Sequence, residues 1–297
     1  LPPPPSITLI AGPTASGKSA LALKMARETG AVIINADSQQ LYADLRILTA
    51  RPSVEDEALA DHRMYGVAAA SEIWSVGRWL RATTPIIQAT AAEKRAILIV
   101  GGTGLYFSAL LHGLVDIPDI DQSERTAAEA TYDQEGEAVV RRLLHEKNAA
   151  SDIMPGDRQR LVRALSVLRA TGRPLAAWQA DTKPAIDMNH CRKMIVVGDR
   201  SVLYARCERR VDLMIEQGAV EEVSALLQRG LSPDLPVMKA IGVRELGSYI
   251  VGRTGLDEAS GAIRQATRRY IKRQLTWIRS RMSDWENVTV APPCAER

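Results

Sequence analysis

Three groups of residues in this sequence have the types and spacing to do chemistry: a glycine-rich loop, a carboxylate close behind it, and rows of arginine near the end. Residues 12–19 read GPTASGKS, a full match to Gly, four residues, Gly, Lys and Ser/Thr. Gly12 and Gly17 permit a tight turn, Pro13, Thr14, Ala15 and Ser16 fill it, and the peptide N–H groups of such a loop point at anionic oxygens. Lys18 supplies a point charge between phosphates, and the Ser19 hydroxyl is placed to hold a magnesium ion bridging them. The implied chemistry is capture of a phosphate or diphosphate.

Asp37, in the stretch NADSQQLY, follows a second apolar run. Polar residues at the C-terminal end of a buried strand face the ligand crevice of an open α/β sheet, so Asp37 is placed near the loop. An Asp-Ser pair before Gln39, Gln40 and Leu41 also fits a plain helix cap, and position alone leaves both readings open. A third apolar run, Ala96 to Val100, ends in Gly101, Gly102, Thr103 and Gly104. Many nucleotide hydrolases carry an acid there for magnesium, and this chain carries none. Glycines let a backbone or substrate come close, while Thr103 can cap the next helix or hydrogen-bond a substrate.

The elements that must hold these groups follow from the apolar pattern. Strands are predicted at Ile7 to Ala11, Ala31 to Ile34, Ala96 to Val100 and Met194 to Val197, with helices after the loop and from near Leu105. Between about Gly113 and Asp187 the texture turns charged, Ala-rich and helical, without a strand-like run. The expectation is an α/β fold: a P-loop NTPase-like parallel sheet core, residues 1–112 and 192–297, with an all-helical insertion domain, residues 113–191. Inside the insertion, Asp157, Arg160 and Arg163 lie three apart beside a stripe of Leu161, Leu165 and Leu168, and Thr171-Gly172-Arg173-Pro174 ends that helix. A helix from about Ser201 puts Arg206 and Arg210 on one face with Arg209 beside them.

Composition sets the remaining bounds. The chain has 297 residues, 46% of them hydrophobic, and a single phenylalanine, Phe107, so the core is aliphatic. The net charge of +3 is uneven. Residues 1–112 carry 10 basic and 9 acidic side chains, residues 113–191 carry 10 and 13, and residues 192–297 carry 18 and 13. The basic excess lies in the last third, as a polyanionic partner would require. Within it, a helix from about Glu258 to Met282 carries Arg264, Arg268 and Lys272 on one row and Arg269 and Arg273 on the next. No acid stands between Arg264 and Arg281 along the chain, which favours contact with a phosphate backbone over a solvated face. Ile263, Thr267, Ile271, Leu275 and Ile278 are expected to face the core. Cys191, Cys207 and Cys294 are odd in number and far apart, which suits neither a disulfide framework nor a Cys-x-x-Cys metal site and points to the cytoplasm. The LPPPP opening has neither a basic n-region nor an apolar h-region, and no apolar run reaches membrane-spanning length.

Taken in order, GPTASGKS, DSQQLY, ILTARP at residues 47–52, LIVGGTGLYF, DRQRLVRALSVLRATGRPL and ATRRYIKRQLTWIR resemble the tRNA dimethylallyltransferase family nearly end to end. The phosphate loop alone recurs widely; its succession by DSxQxY and GGTGLY is specific. The resemblance implies transfer of a dimethylallyl group from dimethylallyl diphosphate to N6 of the adenosine 3′-adjacent to the tRNA anticodon. Asp37 matches the general base, Thr103 the threonine near the reacting centre, and Arg206 the arginine on the far side of the diphosphate. The loop residues 12–19 match the diphosphate cradle, with Mg2+ at Ser19. Contacts with tRNA are implied at Asp37, Ser38, Gln39 and Gln40, at Gln159, Arg160 and Arg163, at Lys239, Gly242 and Arg244, and at Arg268, Lys272, Arg273 and Gln274.

The family commonly has Pro-Asn or Pro-Asp where Pro155-Gly156-Asp157 stands here, and Arg269 replaces a frequent Gln. The short bacterial type is the match, without a C-terminal zinc finger, and a monomer would suffice. A small-substrate kinase of the same loop class, and an RNA-binding module switched by a nucleotide, are the competing readings; neither accounts for the whole motif series.

Overall fold

A computed structural model of the chain describes residues 7–114, 117, 120–147, 153–179, 182, 184–186 and 191–290. Cys294 and the proline-rich opening lie outside these residues. Contacts divide the chain into two compact units, Leu1–Ala109 with Asp187–Arg297, and Leu110–Ile186.

The first unit is built on a six-stranded sheet in the order β3-β2-β4-β1-β5-β6, parallel throughout. Its strands are β1 (Ile7–Ala11), β2 (Val32–Asn35), β3 (His62–Arg63), β4 (Ile97–Gly101), β5 (Cys191–Val197) and β6 (Glu286–Thr289). The inner strands are almost wholly buried apolar runs, as a sheet covered by helices on both faces demands. β5 begins earlier than its apolar part, because Arg192 and Lys193 point outward and pair with Glu286 and Asp284 near the edge strand.

Register aligns Ala11 with Gly101 and Asn35 with Val100, so the C-terminal ends of β1, β2 and β4 lie side by side. The chain leaves β1 for β2 on one side and later reaches β5 on the other. A crevice opens at such a reversal, and ligands of open α/β sheets settle there.

Helix α1 (Lys18–Thr29) starts directly from the loop, with Gly17 at φ 91° as its N-cap. An L side chain rarely adopts that conformation, which is why the motif needs glycine there. α2 (Val54–Leu59) and α3 (Val76–Ala92) lie between β2 and β4. Trp79 of α3 is fully buried, stacks on Tyr106 at 4.1 Å and donates from Nε1 to Asn35 O at 3.0 Å, tying α3 to the end of β2. β4 is followed by α4 (Gly104–His112).

The second unit is helical among its described residues: α5 (Gln122–Glu135), α6 (Glu137–His145), α7 (Arg158–Thr171) and α8 (Leu175–Gln179). Leu161, Val162, Leu165 and Leu168 of α7 pack with Ala128, Val140 and Leu144. Asp157 caps α7 by accepting the Arg160 N–H at 3.1 Å, and Gly172, at φ 66°, closes it with N–H to Leu168 O at 2.8 Å. Gln159, Arg160 and Arg163 are exposed on this helix.

After β5 the chain forms α9 (Arg200–Glu216), α10 (Ala219–Gln228), α11 (Val243–Ile250) and α12 (Leu256–Arg281). At 26 residues, α12 is about 39 Å long. Ile263 and Ile271 are buried as the helical pattern requires, and Gln274 is buried with them. The acids missing from the sequence of α12 are supplied by α9. Asp212 pairs with Arg264 and Glu208 with Arg268, so the expectation that these arginines lack neighbouring acids is wrong. Two helices packed side by side share partners that neither sequence displays alone.

Candidate active site at the sheet edge

The loop, the carboxylate and a half-buried arginine, Arg210, converge at the C-terminal edge of the sheet. They line an open crevice that includes Thr14, Asp37, Gln39, Thr49, Arg210 and Tyr270, with Leu48, Val211, Met214, Ile241 and Ile263 as an apolar wall. A polar end beside a hydrocarbon-lined wall suits a ligand that joins an anion to an apolar group.

Asp37 is held from behind. Asn35 Oδ1 accepts the Asp37 N–H at 2.7 Å, and Asn35 Nδ2 donates to Asp37 O and Met64 O, each at 3.0 Å. Asp37 Oδ1 accepts the Gln39 N–H at 3.1 Å, opening a single 3-10 turn at Gln39–Leu41. The carboxylate thus serves as a cap and also lines the cavity; the two readings are compatible. Asp37 is 8% exposed. Burial first, and then the Asp37 charge, push the phenols of Tyr65, Tyr106 and Tyr270 well above the ordinary tyrosine value, so these side chains stay protonated around it.

The loop itself is braced by α9. Arg206 Nη1 donates to Ala15 O at 3.5 Å, and Arg210 donates to Thr14 Oγ1 at 3.2 Å and to Thr49 O at 3.4 Å. Burial works against the charge of Arg210, and Asp37 offsets part of that cost. Lys18 Nζ donates to Pro13 O at 3.2 Å. Burial lowers its pKa to about 8; Asp37 counters this and Arg210 adds to it. The Ser16 hydroxyl is buried without a hydrogen-bond partner.

Thr103 joins the site through Ser38. Its Oγ1 accepts the Ser38 N–H at 3.0 Å and donates to Ser38 Oγ at 3.3 Å, while its own N–H binds Ala36 O at 3.1 Å. The missing acid at the end of β4 has a steric cause: a Cβ on Gly101 would lie 2.0 Å from Ala36 O.

Among the described residues no three His, Cys, Asp or Glu side chains gather as a metal cluster. Ser19 is exposed in the first turn of α1. One hydroxyl with ligand phosphate oxygens and waters fits magnesium, which keeps much of its hydration and seldom takes an all-protein cage.

The residues expected to touch RNA fall into two groups. Lys239, Arg244, Lys272 and Arg273 are exposed, with Lys239 within 3.7 Å of Asp234. Arg268 is shared with Glu208. Gln40 and Gln274 turn inward: Gln40 Nε2 donates to Thr49 O and Ala50 O, and Gln274 bridges Thr14 N–H and Gly102 O. Gly242 is buried at φ 102°, opening α11, and Gln39 Oε1 accepts the neighbouring Ile241 N–H at 3.4 Å. Tyr270 and Asn35 are site residues that sequence reasoning does not single out, and it places Arg210 on the face of Arg206 without a role. Four-residue spacing from Arg206 was the one available signal, for Arg210.

Known proteins resemble this chain along most of its length. The profile of the IPP transferase family matches residues 40–281, and that of an isopentenyl transferase family matches residues 5–71. A tRNA dimethylallyltransferase of Caulobacter sp. (strain K31) is 51% identical over 293 residues, which is 98% of this chain and 95% of that one. The crystal structure of a full-length tRNA isopentenylpyrophosphate transferase from Bacillus halodurans superposes with a TM-score of 0.67 at 31% identity, covering 96% of this chain and 89% of the other. A eukaryotic dimethylallyltransferase acting on tRNA shares the fold, with a TM-score of 0.83 at 22% identity over 96% of this chain and 74% of its own.

Proposed function

We infer the reaction from a plain premise: the chain belongs to the IPP transferase family. It is a prenyltransferase that modifies tRNA, moving a dimethylallyl group from dimethylallyl diphosphate to N6 of the adenosine 3′-adjacent to the anticodon and releasing diphosphate. The observation that carries this reading is the convergence of Asp37, the loop at Thr14 and the guanidinium of Arg210 on one cavity with an apolar wall.

Each group has a task that its placement suits. The exocyclic amine of adenine is a weak nucleophile, because its lone pair is delocalised into the ring. Asp37 takes its proton as the C–N bond forms. The allylic C–O bond breaks, its electron pair leaves with the diphosphate, and charge grows on oxygens facing the loop N–H groups, Lys18 and Arg206. Thr103, linked to Ser38 beside Asp37, keeps that turn in register with the end of β4. Bound magnesium at Ser19 would neutralise further charge on the leaving group.

The acceptor base must leave the stack of the anticodon loop to reach this crevice, at a cost of a few kcal/mol. In this reading the exposed Lys272 and Arg273 on α12, with Lys239 and Arg244, hold the RNA backbone, and the exposed Gln159, Arg160 and Arg163 of the helical unit contact the stem. Among the described residues no helix is long and apolar enough to cross a membrane. In this reading the protein acts on its tRNA in the cytoplasm, and a monomer suffices.

The test is a transfer assay. Incubated with magnesium, dimethylallyl diphosphate and unmodified tRNA, the protein should release diphosphate and leave one adenosine heavier by a dimethylallyl group, without consuming ATP. Unmodified adenosine together with ATP hydrolysis would replace the reading with a kinase.

A further inference from the structure

Gln274 follows two exposed cations on α12, yet it is 5% exposed and its amide points into the protein. Oε1 accepts the Thr14 N–H at 3.0 Å, and Nε2 donates to Gly102 O at 3.1 Å. The two partners fix the amide orientation, since only an acceptor satisfies an N–H and only a donor satisfies a carbonyl. The fit is close: a Cβ on Gly102 would lie 2.1 Å from Gln274 Nε2. Thr14 is gripped twice, at its N–H by Gln274 and at its hydroxyl by Arg210.

We propose that Gln274 is a positioning residue for the diphosphate loop and not an RNA contact. Its amide joins the loop after β1 to the Gly-Gly turn after β4 and holds the Thr14 peptide, so that the rest of the loop keeps the shape that receives the anion. The Thr14 N–H is spent on this bridge. The proposal rests on the reading of residues 12–19 as a diphosphate site, and it assigns opposite faces of α12 different substrates: Lys272 and Arg273 to the RNA, Gln274 to the donor's leaving group.

The experiment measures inorganic diphosphate binding with magnesium, tRNA binding, and the donor KM on the full chain, for wild type, Gln274→Met, Gln274→Glu and Lys18→Ala. Gln274→Met removes both hydrogen bonds at similar volume. Gln274→Glu keeps an acceptor for Thr14 but sets a carboxylate against Gly102 O and near the anion. Diphosphate affinity should fall roughly tenfold for Met and further for Glu, as loss of buried hydrogen bonds and added like charge require, with the donor KM raised in parallel. The tRNA affinity and its salt dependence should stay within about twofold of wild type.

The opposite pattern, weakened tRNA binding with diphosphate unchanged, overturns the proposal. If Gln274→Met does not fold, Gln274→Glu, which preserves size and the acceptor for the Thr14 N–H, decides it by the same split. Gln274 variants that bind diphosphate like wild type while Lys18→Ala does not refute the role of Gln274 alone. A wild type that binds no diphosphate, or a Lys18→Ala variant that binds it normally, removes the loop reading and this proposal together.

Discussion

Arg210 reaches across 196 residues of sequence to donate a hydrogen bond to the Thr14 hydroxyl at 3.2 Å, from a helix that the chain forms only after the whole second unit. The same guanidinium binds Thr49 O, so one side chain braces both the phosphate loop and a second stretch of the cavity lining. Arg210→Met should lower kcat/KM for the donor by roughly 10- to 100-fold, the worth of a hydrogen-bonded charge in a buried site. Arg210→Lys, which keeps the charge without the fork, should recover part of that loss. Steady-state kinetics with the donor varied at saturating tRNA checks both.

The double use of Asp37 suggests a variant that separates cap from base. Asp37→Asn can still accept the Gln39 N–H that Asp37 Oδ1 now accepts, but it cannot take up a proton at neutral pH. Single-turnover transfer should slow by about a hundredfold or more with tRNA affinity unchanged. A rate close to wild type would reduce Asp37 to its capping role.

Lys18 carries a pH signature. Because burial lowers its pKa to about 8, the free protein loses this ammonium as pH rises through 8, whereas a bound diphosphate favours its charged form. Diphosphate binding should therefore take up a proton and weaken above pH 8, by up to about tenfold per pH unit. For stability the sign is reversed. The folded pKa lies below the ordinary lysine value of 10.5, so the unfolded chain holds the extra proton between about 8 and 10.5, and the contribution of Lys18 to stability rises with pH across that window. Calorimetry in buffers of different ionisation enthalpy measures the proton taken up on binding.

The basic face of α12 should respond unevenly to mutation. Neutralising Lys272 and Arg273 should flatten the slope of log tRNA affinity against log salt by about one to two units. Arg268→Gln should do less, because Arg268 already shares its charge with Glu208. Glu208→Gln, which frees that arginine, should steepen the slope.

Much of this arrangement is legible in the sequence where local rules act. The apolar runs of β1, β2 and β4, the glycine stop after α7 and the loop motif before α1 all sit within a residue or two of their expected places. β6, with the sequence ENVT, is illegible because an edge strand of four largely polar residues has no apolar signature. β3 is two residues long. The roles of Arg210 and Gln274 escaped sequence reasoning for one cause: their partners are distant in the chain. Gln274 resembles one more polar residue on a basic helix until Thr14 and Gly102 are beside it, and Glu208 and Asp212 belong to the electrostatics of a helix some fifty residues further on.

The bracing of the phosphate loop has a consequence for how the protein is made. The loop lies near the start of the chain, but Arg206, Arg210 and Gln274 meet it at sequence separations of 191, 196 and 260 residues, and β5 completes the flank of β1. At ~5–20 residues per second, a ribosome adds those last 260 residues in roughly 13 to 50 s. Throughout that interval the nascent chain displays the motif without the side chains that set its shape. Contacts of such separation also form slowly, since the closure entropy of a long loop is spent before they reward it. A growing polypeptide therefore carries the loop without its Gln274 bridge, and the braced form of the loop waits until α12 docks.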